Sequence, residues 1–237
     1  MSLVFDIETI GANFDDFDEP TQNSLTRWIK REAGEDEGKY NVMLKDLKEG
    51  LGFSPLTGEI VAIGVYDTLV QKGVVYFQSP DKETQEYRDG NFTFKPRLES
   101  EMLKEFWQGA KNYNEFISFN GRSFDAPFLL VRSAVNKIKP SVNLMSNRYL
   151  NNQFKVKHID LLDQLAFYGA VRRKGNLHLY CQAFNIKSPK SFGITGDDVG
   201  QLFKDRKYKK IAEYNSWDLI ATTELYEVWR NYIKLNF

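Results

Sequence analysis

The sequence predicts an α/β fold in which a mixed β-sheet is flanked by helices. Three observations carry this expectation. Short runs rich in β-branched residues come early, strands then alternate with helix-periodic segments, and the chain ends on a long helical stretch.

The elements follow in order. Leu3–Ile7 is a short apolar run with strand character. Residues 11–58 break the pattern. They hold an acidic stretch, Asp15–Glu19, and a charged, Gly-containing segment from Arg31 to Lys39, with Trp28 and Ile29 offering a small apolar face. This segment reads as a long, partly helical insertion over the surface. Regular structure resumes with EIVAIGVYD from Glu59 to Asp67 and GVVYFQ from Gly73 to Gln78, two strands joined as a hairpin. Glu99–Tyr113 carries Met102, Leu103, Phe106, Trp107 and Ala110 at helical spacing. Glu115–Phe119 is a strand, and Ser123–Lys137 a helix that Ser123 is placed to cap. His158–Leu161 is one more strand, leading into a helix over Leu162–Phe167. Ile211–Ile233 closes the chain as a helix with Tyr214, Trp217, Ile220, Leu225, Val228 and Trp229 at compatible intervals.

Composition sets outer limits. The chain has 237 residues, which fits one domain over 1–237 with an insertion at about 11–58. Lys+Arg and Asp+Glu are both 32, so a nucleic-acid partner would need a local basic groove. A single cysteine, Cys181, excludes an internal disulfide, and with only two histidines a Cys/His zinc site is disfavoured. Cys181 is expected to be a small buried hydrophobe. The start MSLVFDIET lacks the pattern of a signal peptide, and no segment approaches the ~20 apolar residues of a membrane span. A soluble, cytoplasmic protein with no membrane partner is the resulting expectation.

Three acidic pieces carry the chemistry. In Phe5-Asp6-Ile7-Glu8 the i, i+2 spacing places Asp6 and Glu8 on one face of a strand. Two like charges there repel and lose hydration, and Arg27 is the first basic residue, so a bound cation would balance them. A frayed strand end in water is the bland alternative. Asp125 lies in Asn120-Gly121-Arg122-Ser123-Phe124-Asp125, in the first turn of a helix. The helix dipole favours a carboxylate there in any case. In Tyr214-Asn215-Ser216-Trp217-Asp218 the i, i+4 spacing points Tyr214 and Asp218 the same way from an apolar helix. A core Tyr beside an exposed-edge Asp satisfies that pattern equally.

Taken in order, VFDIET, FNGRSFDAPFL and YNSWD resemble the three motifs of the DEDD superfamily of 3′→5′ exonucleases, in its Tyr-containing (DEDDy) branch. Within that superfamily the chain is similar to the stand-alone exonucleases related to the exonuclease domain of family B DNA polymerases. The resemblance runs from Leu3 to about Trp229 and is weakest over residues 11–58. It implies an RNase H-like sheet and a metal-dependent release of nucleoside 5′-monophosphates from a 3′ end, single-stranded DNA being the expected substrate. It implies two ions, Mg²⁺ or Mn²⁺, held by Asp6, Glu8, Asp125 and Asp218. Tyr214 would orient the attacking water. Thr9 and Ile10 would touch the terminal nucleotide, and Asn120 and Phe124 the sugar-phosphate or base near the scissile bond.

Weaker candidates surround this set. Asp160 either lies near the metals or caps the helix that follows it. Lys207 belongs to the basic run Lys204–Lys210, which either holds the phosphate backbone or is a solvated face. Lys187, Lys190 and Arg172–Lys174 are similar, and Phe124 and Phe192 are candidate base-stacking rings. His158 and His178 lack ligand spacing and read as structural. Competing functions are an RNase H-like endonuclease, a non-catalytic nucleic-acid-binding or polymerase accessory subunit, and a two-carboxylate glycosidase. The Tyr214-x-x-x-Asp218 spacing favours the exonuclease, with any polymerase or repair partner a separate protein.

Overall fold

The computed structural model describes residues 1–81 and 84–234. Its frame is a seven-stranded sheet built from β1 (Ser2–Gly11), β2 (Gly58–Asp67), β3 (Lys72–Phe77), β4 (Tyr87–Asp89), β5 (Phe92–Pro96), β6 (Glu115–Ser118) and β7 (Lys157–Asp160). The strand order is β4-β5-β3-β2-β1-β6-β7. The pairs β1/β2, β2/β3 and β4/β5 are antiparallel, while β1/β6, β3/β5 and β6/β7 are parallel. The sheet is therefore mixed, as the alternation of strands and helices predicts.

Eight helices accompany it among the described residues: α1 (Glu19–Ala33), α2 (Glu37–Gly50), α3 (Glu99–Ala110), α4 (Asp125–Val135), α5 (Leu161–Leu165), α6 (Leu177–Ala183), α7 (Val199–Lys204) and α8 (Tyr208–Val228). A π-helical turn, Trp229–Ile233, continues α8. None of these helices is long and apolar enough to cross a membrane.

Side-chain alternation along the strands gives each face of the sheet its own core. Leu3, Phe5, Ile7, Ile60 and Ile63 pack on one side with Met102, Leu103, Phe106 and Trp107 of α3 and Phe128 and Leu129 of α4. Val4, Ala62, Tyr66, Val75 and Phe77 pack on the other with Ile211, Leu219 and Leu225 of α8. The β1/β2 register shifts between Glu8 and Thr9, so that Glu8 faces Ala62 and Thr9 faces Ile60. Val61 is thus the extra residue of a β-bulge, a device that re-aims neighbouring side chains.

Residues 11–58 are largely helical. Asp18 and Asp36 cap α1 and α2, accepting from the amides of Thr21 (3.0 Å) and Lys39 (2.9 Å). The acidic stretch thus serves in part to start a helix. Ile29 is buried as the expected apolar face requires, but Trp28 is half exposed, and α2 buries no residue.

Two expectations need correction. The strands β4 and β5 were not foreseen, because the segment is short and charged. The Asp89-Gly90 turn between them, with Gly90 at φ 53°, was the available signal. Ser123 does not cap α4. Phe124 occupies the cap position without a side-chain hydrogen bond, and the Ser123 amide instead donates to the Asn120 carbonyl in the preceding turn.

Candidate active site

The site lies where β1 outruns its parallel neighbour. β6 pairs with β1 only at Ser2, Leu3 and Val4. Beyond that point the β1 edge needs another acceptor, and Asp125 at the start of α4 provides it. Its Oδ1 accepts the Ile7 amide at 3.0 Å. One carboxylate oxygen is thereby committed to the backbone, and the acid is fixed beside β1 although 118 residues separate the partners.

Asp6 and Glu8 project from the same face of β1 toward α8, as their spacing predicts. Asp218 of α8 meets them there. One ligand atom from each of the three lies within 4.8 Å of the others. Glu8, Asp125 and Asp218 are buried, and Asp6 is partly so. None of these four acids forms a salt bridge among the described residues.

Electrostatics follows from this crowding. Burial, reinforced by Asp125, Asp218 and Glu8, pushes Asp6 well above the usual carboxylate range. Burial and Asp218 do the same to Glu8. Burial carries Asp125 up to about 7, against the pull of its own amide and that of Ile7. It carries Asp218 up to about 7 as well, against the Tyr214 hydroxyl and the Lys190 ammonium. Burial and then the Asp218, Glu8 and Asp6 carboxylates hold the Tyr214 phenol far above its usual range.

Asn215 completes the cluster. It is fully buried, and its Nδ2 donates to Asp6 Oδ2 at 2.8 Å. It sits directly over Gly64 of β2, which pairs with Asp6. A Cβ at position 64 would run into the Asn215 amide oxygen and stand 2.6 Å from Leu219 Cδ1. Gly64 is therefore what lets α8 approach the sheet closely enough to reach Asp6. Neither residue was assigned a role from sequence. The lone glycine inside the EIVAIGVYD strand was the signal for a close backbone approach.

The remaining candidates divide. The Thr9 hydroxyl is turned away to the insertion, donating to the Gly52 carbonyl at 2.8 Å. Ile10 is partly buried on the α8 side. Asn120 turns the chain with a left-handed φ of 63°. Phe124 is half-buried, its ring against Phe128 at 5.4 Å and Phe53 at 6.5 Å. Asp160 does not join the cluster. Its oxygens accept the amides of Asn120, Arg122, Leu162 and Asp163, so it fastens the Asn120 turn and caps α5. Lys207, at the start of α8, pairs with Asp205 at 2.8 Å. Phe192 stacks on Trp217 at 3.9 Å, with Lys187 over its ring at 4.3 Å.

The structural residues behave as anticipated. Cys181 is fully buried, and burial pushes its thiol up to about 11. His158 is buried between Ser118 Oγ (2.7 Å) and the Leu144 carbonyl (2.9 Å), and His178 meets Ser188 Oγ at 2.7 Å.

Comparison with known proteins supplies a relationship. A family described as predicted 3'-5' exonucleases related to the exonuclease domain of PolB matches residues 60–235. That stretch holds Asp125, Tyr214 and Asp218, whereas Asp6 and Glu8 precede it. Among solved structures, the family B DNA polymerase of the hyperthermophilic archaeon Pyrobaculum calidifontis is similar in fold, with a TM-score of 0.59 at 15% identity. The match covers 97% of this chain and 24% of the polymerase chain. No curated protein sequence matches the chain.

Proposed function

The chain belongs to the family of predicted 3'-5' exonucleases related to the exonuclease domain of PolB, and from that premise we propose that it is a metal-dependent 3′→5′ exonuclease acting on single-stranded DNA. We read residues 1–237 as one such domain, with 11–58 inserted after β1. The observation that carries the proposal is the meeting of Asp6, Glu8 and Asp218 within 4.8 Å, with Asp125 beside them and no side-chain cation paired to any of the four among the described residues.

The donor set fits Mg²⁺ or Mn²⁺. It is all hard carboxylate oxygen, and Asp6 and Glu8 are raised by burial and by the neighbouring acids, with no cationic side chain offsetting them. Asp6, Glu8 and Asp218, with the uncommitted oxygen of Asp125, would hold two ions. When bound, the ions supply charge neutralisation for the phosphodiester and activation of water.

The chain's own groups do the rest. Tyr214 stays protonated, since its phenol is held far above neutral pH. It therefore positions the attacking water by a hydrogen bond and does not take its proton. Lys190 adds positive charge beside Asp218. Water attacks the phosphorus of the last phosphodiester and gives up a proton to solvent, the bond to the 3′ oxygen of the preceding nucleotide breaks, and that oxygen takes up a proton. The products are a nucleoside 5′-monophosphate and a strand with a new 3′-hydroxyl.

Digestion of 5′-labelled single-stranded DNA and RNA with Mn²⁺, Mg²⁺ or EDTA tests this. The expected result is a metal-dependent ladder shortening from the 3′ end, faster on DNA. Asp6→Ala and Asp218→Ala should each fall below about a thousandth of the wild-type rate. Internal cuts would replace the proposal with an endonuclease. Binding without cleavage by the wild-type protein would replace it with an accessory subunit.

A further inference from the structure

The segment from Arg148 to Lys174 is charged unlike the rest of the chain. It holds six Lys or Arg and two Asp, whereas the whole sequence balances 32 against 32. Both acids, Asp160 and Asp163, are buried, and all six bases are exposed. A solvated face ordinarily mixes the two signs, and this one shows a single sign. Arg172, Arg173 and Lys174 form no salt bridge among the described residues.

Exposed rings stand among these cations on a fixed mount. Tyr149 is 51% exposed and Phe167 57%. The Tyr149 ring packs on that of Tyr168, with centroids 4.8 Å apart. The Tyr168 hydroxyl accepts the Leu150 amide at 3.3 Å and the Gln164 side-chain amide at 2.8 Å, which ties the turn to α5. Phe167, Tyr168 and Gly169 have positive φ in succession, at 48°, 54° and 104°. Backbone of that kind persists only where its surroundings over-determine it. Arg148 Nε donates to Asp163 of α5 at 2.9 Å. That guanidinium, with the charges of Lys174 and Arg122, holds the Asp163 carboxyl below the usual range. Cations and rings thus gather around one short helix.

Helix α5 adjoins the carboxylate cluster. Val4 pairs with Ile117 and Ile117 with Ile159, so Asp6 lies two residues past that level on β1 and Asp160 one residue past it on β7. Only β6 separates the two strands, which places them about 10 Å apart at ordinary strand spacing. Ile159, Leu161 and Leu165 share the α8-side core with Val4. Helix α5 therefore stands on the same face of the sheet as Asp6, Glu8 and Asp218. Asp160 joins the two places, since it caps α5 and takes the amides of the Asn120 turn that leads to Asp125.

We propose that Arg172, Arg173 and Lys174, with the Tyr149 and Phe167 rings, anchor the single strand 5′ of the scissile bond, so that it stays bound while its end is shortened. The proposal rests on the exonuclease reading and adds processive digestion to it. The cations neutralise phosphates, and the rings stack on bases of any kind. Contacts that ignore sequence let the strand slide toward the carboxylates between cuts.

Digestion in Mn²⁺ of a labelled oligonucleotide of about 12 nucleotides, beside a dinucleotide, tests this. The one phosphodiester of a dinucleotide is the scissile one, so no upstream phosphate is left to hold. Arg172→Ala, Arg173→Ala and Lys174→Ala combined should raise KM on the oligonucleotide about tenfold and flatten its logarithmic salt dependence by about two. The same variant should change the dinucleotide rate less than about twofold. With an unlabelled trap strand present, the wild type should shorten each bound strand many times, and the triple variant should let go after a few cuts. Tyr149→Ala should raise KM on the oligonucleotide about fivefold, and Tyr149→Phe should stay near wild type. Unchanged thermal melting would exclude a folding defect, as the exposure of these side chains predicts. An equal penalty on both substrates, or none on either, overturns the anchor while leaving the exonuclease intact. The second of these is the result an acidic protein partner would give. A wild-type protein that shortens no strand overturns the exonuclease reading itself. Fluorescence anisotropy of the labelled strand in EDTA then reads the anchor alone, and equal binding by wild type and triple variant overturns that too.

Discussion

Strand β1 shows its two faces to two layers of helices, and the layers receive it in opposite ways. Toward α3 and α4 it offers Leu3, Phe5 and Ile7, which vanish into a dry core. Toward α8 it offers Val4, then Asp6 and Glu8, which meet Asp218, Tyr214 and Asn215. One backbone thus carries a face whose burial favours folding, roughly 1.5–3 kcal/mol for a side chain such as Phe5, and a face whose burial opposes it. Carboxylates removed from water with no counter-charge are costly. The apolar face holds the strand in place, and the acidic face can remain unpaired only because it does. Both faces of the sheet carry a hydrophobic core, but on β1 the acids share the α8 face while Leu3, Phe5 and Ile7 fill the other.

The sharpest test of that division is thermodynamic. Phe5→Ala should cost about 3–5 kcal/mol in urea unfolding, through the cavity left in the dry core. Asp6→Asn should leave the metal-free protein as stable or more so, since it replaces an acid that the fold already favours as neutral. Equal destabilisation by both variants would break the comparison. Next comes the approach of α8. Asn215→Ala removes the amide that orients Asp6, and Gly64→Ala drives that amide from its place. Each should weaken Mn²⁺ binding by about 10- to 100-fold in calorimetric titration. Unchanged affinity in both would show that Asn215 does not position Asp6.

The smallest effect is a pH dependence. Asp125 and Asp218 titrate at about 7 in the fold, against about 3.9 in an unfolded chain. Between these values the folded protein binds more protons than the unfolded one, so metal-free stability falls as pH rises through the window. A divalent cation must displace those protons, so its stabilisation should grow over the same window. The Mn²⁺-induced rise in Tm should be at least about 4 °C larger near pH 7.5 than near pH 5. Burial pushes the His158 imidazole down to about 4, so it stays neutral in the folded protein over this window. A gain that does not vary with pH would remove these acids from the metal site.

The fold was readable from local periodicity, whereas the acids were joined into one candidate site by the resemblance of three successive motifs to the DEDD exonucleases. Alternation put Asp6 with Glu8 and helical spacing put Tyr214 with Asp218, whereas the glycine in EIVAIGVYD, which seats α8 on the sheet, was read only as part of a strand. Errors arose where another segment reached in. Ser123 looked like a cap, but its turn is organised by Asp160, which takes the Asn120 and Arg122 amides from a different strand. The Thr9 hydroxyl likewise donates to the Gly52 carbonyl across 43 residues, a pairing that no local pattern records. The charged, three-residue β4 carried too little pattern to be seen, although β5 pairs in parallel with β3.

Residue order alone was enough to establish the α/β class, the two acids of β1, the Tyr-Asp pair of the last helix and an Asp at the start of α4, because each depends on contacts within a few residues. Tertiary structure decided that these pieces converge, joining Asp6 to Asn215 across 209 positions and Ile7 to Asp125 across 118. It also decided which acids are spent on backbone amides, and that Phe53 faces Phe124. Such pairings are set by how sheet, helix and insertion pack together, and side-chain periods of two and 3.6 residues carry no record of that packing.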